Sequence, residues 1–460
     1  MNDMFRRPRP MADVLLVLLL LLAPFTALAE RFYPTIAEVE LKLDELETTY
    51  PDLAKKYLIG TSVVEDKDIY ALKISSDVDE QQDKPVWIFT GVIHGNEHMG
   101  LKVVMDLATR LTGEYLTNAE VKKWVDAYDI WLVPYMNPVG YQYRVRGNRQ
   151  VNWVDLNRNY DFHWQNGQAT PGASAYRGTA PFSEPEAQAM RDLYLEIQPW
   201  FGMVFHYGNN PDGGQIMYPW SSTNGGFNPD RAALRGFAQK YGDLVFAARS
   251  LGEFCEVASG GGYVLEDPDG DPCGSTQTEQ YCKELCWTPS ISTQGILGIS
   301  SNWGYAAVGT MDLTVEMTDR AFYLPFMHEN RAPETAYEQT ILDIATEFAN
   351  NYLDGIEALF DDFLIPASTG YDFRASGVTG HVLDEDTSEP VRAKIEFIGH
   401  TSAEVEDRYS NEQFGRFWRF LPNGSHTITV SAPGYISHTE TFTLSTDVMK
   451  NMQILLEKQP

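Results

Sequence analysis

The sequence predicts an α/β fold, a mixed central sheet flanked by helices, followed by a small C-terminal all-β sandwich. Short, continuously apolar runs such as Val86-Trp87-Ile88-Phe89 and Trp200-Phe201-Gly202-Met203-Val204-Phe205 have the look of strands buried on both faces. Between them lie longer segments with apolar residues at helical spacing, and that alternation is the mark of an α/β sheet. After about residue 366 the helical periodicity stops, and short β-rich runs separated by turn residues take over.

The elements follow in order. Residues 1–29 read as an export signal. Arg6, Arg7 and Arg9 form a positive front, Val14 to Ala23 an apolar run, and Ala27-Leu28-Ala29 a cleavage site. The apolar stretch is broken by Pro24 and falls short of the ~20 residues a spanning helix needs. The expectation is an exported chain, secreted or periplasmic, with no stable membrane insertion once the signal is removed. Ile36 to Tyr50 then carries helical spacing, and Lys56 to Ser75 alternates like a hairpin turning at Asp66-Lys67-Asp68. Strands are expected at Pro85–Thr90, Asp129–Pro134, Trp200–His206 and Met311–Met317. Helices are expected over Gly100–Leu111, Glu184–Ile197, Asp230–Leu244 and Pro333–Phe360. The α/β unit is placed at 30–366 and the β-sandwich at 374–460. Within the sandwich, Gly380–Leu383, Ala393–Ile398, Thr427–Ser431 and Thr439–Leu444 read as strands.

Composition narrows the partners. A formal net charge of −29 repels nucleic acid and anionic lipid, so neither is expected as a partner. The four cysteines, Cys255, Cys273, Cys282 and Cys286, sit in one stretch. After an export signal they favour two disulfides in any of three pairings. Zinc held by the four is the competing idea, but paired C-x2-C knuckles are missing.

His94-Gly95-Asn96-Glu97 follows a buried strand directly. An imidazole and a carboxylate three residues apart in a strand-to-helix turn can reach one ion, and a catalytic zinc needs a third ligand from elsewhere. Alone the pair is a weak signal. Among the nine histidines, His206 stands out because it ends a buried strand, where a satisfied core histidine is the plain alternative. His98 is the nearby competitor and reads as a neighbour of the site. Glu316 interrupts the apolar run Leu313-Thr314-Val315-Glu316-Met317. A buried carboxylate there would have a raised pKa, suited to a general base, unless the strand is an edge and the side chain points outward. Arg144, Arg146, Arg149 and Arg158 crowd together in a very acidic chain. Guanidinium groups suit a substrate carboxylate and a developing oxyanion, although they could equally balance local acids.

In the order H-x-x-E, Asn137-Pro138-Val139-Gly140-Tyr141, Val154-Asp155-Leu156-Asn157-Arg158-Asn159-Tyr160, a strand-ending histidine and a strand glutamate, the chain resembles the zinc metallocarboxypeptidases. The likeness runs from about Tyr33 to Phe360. The H-G-N-E form and the β-rich tail look like the N/E branch, in which a transthyretin-like sandwich follows the catalytic domain. The resemblance implies one Zn2+ per chain held by His94, Glu97 and His206, with Glu316 as general base. It implies Asn157 and Arg158 as holders of the substrate's C-terminal carboxylate, and Arg146 as oxyanion partner with Arg149 second. Peptide or protein C-termini would be the substrates, and oligomeric state stays open. A related hydrolase of cell-wall peptides and a catalytically inactive peptide-binding homologue are the alternatives. The chain departs from the family where Gln294 stands at the position of a substrate-clamping tyrosine, so that either the loop is re-routed or the clamp is missing, and where Ser301 occupies the specificity position.

Overall fold

The computed structural model describes residues 32–62, 64–148, 153–207, 215–220, 228–247, 298–317, 332–362, 376–445 and 449–460. The expected signal, the four cysteines, Arg149 and Gln294 lie outside them. Among the described residues, no helix is long and apolar enough to cross a membrane.

The chain enters through helix Ile36–Thr49. Thr35 and Glu38 cap it reciprocally, each side chain bonding the other's backbone N–H. Strands β1 (Ala54–Thr61) and β2 (Asp68–Ile74) form the expected antiparallel hairpin. Glu65 and Asp66 take up positive φ at its tip. Then come β3 (Val86–Thr90), β4 (Asp129–Val133), β5 (Phe201–Tyr207), β6 (Gln215–Met217) and β7 (Met311–Met317). The seven strands form one sheet in the order β1-β2-β4-β3-β5-β7-β6. Its centre is parallel (β4-β3-β5-β7), and its flanks are antiparallel. This is the mixed sheet read from the apolar runs. β3, β4, β5 and β7 are almost wholly buried, as strands covered on both faces must be.

Helices Met99–Gly113, Pro185–Ile197, Arg231–Ala247 and Ala336–Asp362 lie close to the expected spans. Two α-helices of more than four residues were not read from the sequence. Ala119–Ala127 starts at Asn118, whose side chain accepts from the N–H groups of Glu120 and Val121. Pro138–Tyr143 begins on Asn137 with proline in its first turn.

At the C-terminal end, β9 (Lys394–Phe397), β10 (Arg408–Tyr409), β12 (Gly424–Ser431) and β13 (His438–Leu444) form a four-stranded sheet. β8 (Gly377–Asp384), β11 (Arg416–Phe420) and β14 (Met449–Leu456) form a three-stranded one. Val378, Val382, Ile395, Phe397, Phe417, Ile428, Val430 and Phe442 belong to one buried cluster drawn from both sheets. β14 pairs with β8 in parallel, a pairing that alternation alone does not reveal.

Candidate metal centre and active site

The site gathers at the carboxyl ends of β3, β5 and β7, where parallel sheets place functional groups. Past β3, Gly91 donates to the Val133 carbonyl and Asn137 to that of Val92. The loops after β3 and β4 therefore stay paired. Val92, a β-branched residue, is held at φ 51°, a left-handed conformation that costs about 1–3 kcal/mol. Gly95 packs so tightly that an added Cβ would lie 2.0 Å from the Gly140 carbonyl carbon. The Gly95 N–H donates to the Arg146 carbonyl at 3.2 Å. The Asn137 side-chain amide donates to the carbonyls of Ile93 and Arg146. The H-G-N-E turn, the N-P-V-G-Y helix and the arginine segment are thus one knot of backbone.

β5 and β7 are parallel neighbours, and their register sets His206 opposite Glu316. β7 lies between β5 and β6, so Glu316 is not on a sheet edge. His94, Glu97 and His206 are buried and converge, forming the one cluster of metal-ligating type found among the described residues. Glu97 reaches both rings, with Oε1 at 2.7 Å from His94 Nδ1 and Oε2 at 2.8 Å from His206 Nδ1. The two Nδ1 atoms are 3.1 Å apart.

The far side of each ring is occupied. His94 Nε2 lies 3.0 Å from Asp155 Oδ1. A carboxylate only accepts, so Asp155 can fix a proton on Nε2, which leaves Nδ1, beside Glu97, as the nitrogen that a cation would take. His206 Nε2 lies 3.2 Å from Asn157 Nδ2. Burial alone would raise the Glu97 pKa, but His94 and His206 hold it down at about 2, so the carboxylate stays charged.

Two inward imidazole nitrogens and one ionised carboxylate, with Asp155 behind the His94 ring, are a donor set suited to zinc. Ligands on a tetrahedral zinc at about 2.1 Å stand about 3.4 Å apart, so these atoms need open by roughly 0.3–0.7 Å. The residues fit the ion.

Asp155 was not singled out in the sequence, although it stands inside a quoted motif two residues before Asn157. It is fully buried and accepts from the Asn157 N–H and from Arg146 Nε, each at 3.0 Å. Burial opposes its ionisation, yet His94, Arg158 and Arg146 keep its pKa well below the usual value. Arg146 also brings Nη1 to 3.5 Å from Glu97 Oε1. Arg158 donates from Nη1 to the Asn157 carbonyl at 2.6 Å, while its buried Nε meets no hydrogen-bond partner among the described residues. A guanidinium held this way has capacity left for an anion. Burial pushes the Glu316 pKa up, with His206 pulling the other way. His98 turns to other partners than the His94–Glu97–His206 cluster. Its Nε2 lies 3.0 Å from the Gly95 carbonyl, and its ring packs against Tyr33 and Tyr141. Ser301 is buried with its hydroxyl 2.9 Å from that of Thr314.

A family model described as zinc carboxypeptidase matches residues 39–340. Carboxypeptidase E of Caenorhabditis elegans is 23% identical over 88% of this chain and 81% of its own length. Carboxypeptidase D of Mus musculus is 23% identical over 89% of this chain but only 26% of its own length. The chain thus spans about a quarter of that relative. The crystal structure of thrombin-activatable fibrinolysis inhibitor superposes with a TM-score of 0.53 at 20% identity, covering 74% of this chain and 80% of that one. At that identity the likeness speaks for the fold.

Proposed function

The chain belongs to the zinc carboxypeptidase family, and from that premise we propose that it removes residues from the C-termini of peptides with one zinc ion held by His94, Glu97 and His206. The observation that carries this reading is the convergence of these three side chains, far apart in sequence, with Glu316 in register beside His206. When bound, zinc would supply Lewis acidity towards the scissile carbonyl and make water more acidic.

The protein's own groups supply the rest. Glu316, its basicity increased by burial, takes a proton from the attacking water and returns it to the leaving amine. Arg146, steadied by Asp155, faces the oxygen on which negative charge develops. Arg158 and Asn157 hold the free carboxylate of the terminal residue, which confines cleavage to the chain end. Residues 30–366 would be the catalytic unit and 374–460 a transthyretin-like sandwich. Residues 1–29 would direct export to the periplasm or outside, where Cys255, Cys273, Cys282 and Cys286 would pair as disulfides. An inactive homologue is not favoured, since ligand set and general base are both present, and the carboxypeptidase relatives do not favour a cell-wall substrate.

A peptide series ending in Ala, Phe, Lys or Glu, each as free acid and as amide, tests the reading. Release of the last residue from free acids alone is the expected outcome. Cleavage of the amides at equal rates would remove Arg158 from its role.

A further inference from the structure

We infer that Glu404, carried by the C-terminal β-layers, is a positioning residue for the substrate-carboxylate site. The inference rests on the reading of Asn157 and Arg158 given above. Glu404 lies in the loop between β9 and β10. That loop is anchored on the catalytic body beyond Glu404, where Glu406 N–H donates to the Ala306 carbonyl at 2.9 Å and Arg408 Nη1 to the same oxygen at 3.0 Å. On the other side, the His400 ring bonds to Asp230.

Held between these anchors, the Glu404 carboxylate spans two groups of the catalytic body. Oε1 lies 2.8 Å from His163 Nε2, and Oε2 accepts from Trp220 Nε1 at 3.1 Å. Trp220 is almost completely buried, and an indole N–H can only donate. Removing its acceptor strands a buried donor, which is costly. His163 is itself held in a left-handed backbone conformation, at φ 50°.

From these two residues the contacts run back to the proposed carboxylate holders. Phe162 packs against Trp220 with ring centroids 4.3 Å apart. Its carbonyl accepts from Gly298 N–H, whose own carbonyl accepts from Tyr160 N–H. An added Cβ at Gly298 would lie 2.3 Å from the Arg158 carbonyl oxygen. Ser300, two residues on, donates from N–H and Oγ to Asn157 Oδ1. Segments 157–163 and 298–300 are therefore zipped together, and Glu404 pins their outer end. The Glu404 bridge itself touches neither the proposed metal ligands nor Glu316, and its contacts reach His206 only at their far end, through Asn157 Nδ2 at 3.2 Å, so its main effect falls on substrate holding.

The test compares full-length wild type, Glu404→Ala and Glu404→Gln in steady-state hydrolysis of one free-acid peptide. Glu404→Ala is expected to raise KM about fivefold with kcat within about twofold, the size of a buried hydrogen bond lost. Glu404→Gln, which keeps one of two acceptor oxygens, falls between. Misfolded molecules lower apparent kcat but leave KM alone, so the split distinguishes positioning from damage. An active wild type whose KM neither variant moves overturns the brace by itself. A wild type that cleaves no free-acid peptide overturns the proposed function, and the brace with it.

Discussion

Glu316 shows how one side chain depends on its neighbours. Interrupting an apolar strand, it was legible as a candidate base, but which groups it would face was not. That depends on the register of β5 against β7, which sets it beside His206. Replacing Glu316 by Gln keeps the size and removes the proposed base. The expected result is a kcat loss of about 10²–10⁴-fold with zinc content per chain unchanged by atomic absorption. Asp155 lay hidden inside a recognised motif, because its value lies in contacts between residues 61 positions apart. Asp155→Asn cannot act as a charged acceptor for both His94 and Arg146. Zinc affinity should fall about 10–100-fold, as when other outer partners of metal ligands are changed. A competitive chelator titration measures it, and unchanged affinity would mean that Asp155 does not orient His94.

At the scale of elements, the apolar runs announced the central strands, and helical spacing announced most long helices. The two missed helices owe their ends to asparagine caps and a first-turn proline, local signals that periodicity does not carry. The meeting of Gly95 and Gly140 is equally silent in sequence, since it joins the turn after β3 to the helix after β4. Gly95→Ala would drive a methyl group into the Gly140 backbone, where no side chain can give way. A loss of about 2–3 kcal/mol in stability is expected, by analogy with overpacked cores, along with weaker zinc binding. Chemical denaturation of both proteins checks the first part. A variant as stable as wild type would show that the turn can move without loss.

Across the whole molecule, the C-terminal strands are joined to the catalytic body by aromatic and ionic contacts. Trp418 stacks on Trp200 with centroids 4.9 Å apart, and Phe420 meets Phe201 at 5.1 Å. Asp83, just before β3, accepts from Arg416 and pairs with His381. The change from helical to β-rich texture foretold a separate β-layer, but not which residues dock it, because docking depends on surfaces that meet only after both parts fold. Burial alone would raise the Asp83 pKa, yet His381 and Arg416 bring it from 3.8 down to about 2. A depressed folded pKa gives stability that is present in full above about pH 4 and lost as pH falls through about 2. Asp83→Asn should therefore cost about 1–2 kcal/mol at pH 6, and the difference from wild type should shrink steadily below pH 4. A difference that is constant with pH would exclude the ionic contribution. The account as a whole stands on a single metal shared by His94, Glu97 and His206, and it is tested most directly by restoring zinc stepwise to chelated protein while following release of the terminal residue. Activity should rise linearly and stop at one equivalent per chain. Full activity in the chelated protein, or a plateau that needs a second equivalent, would contradict it.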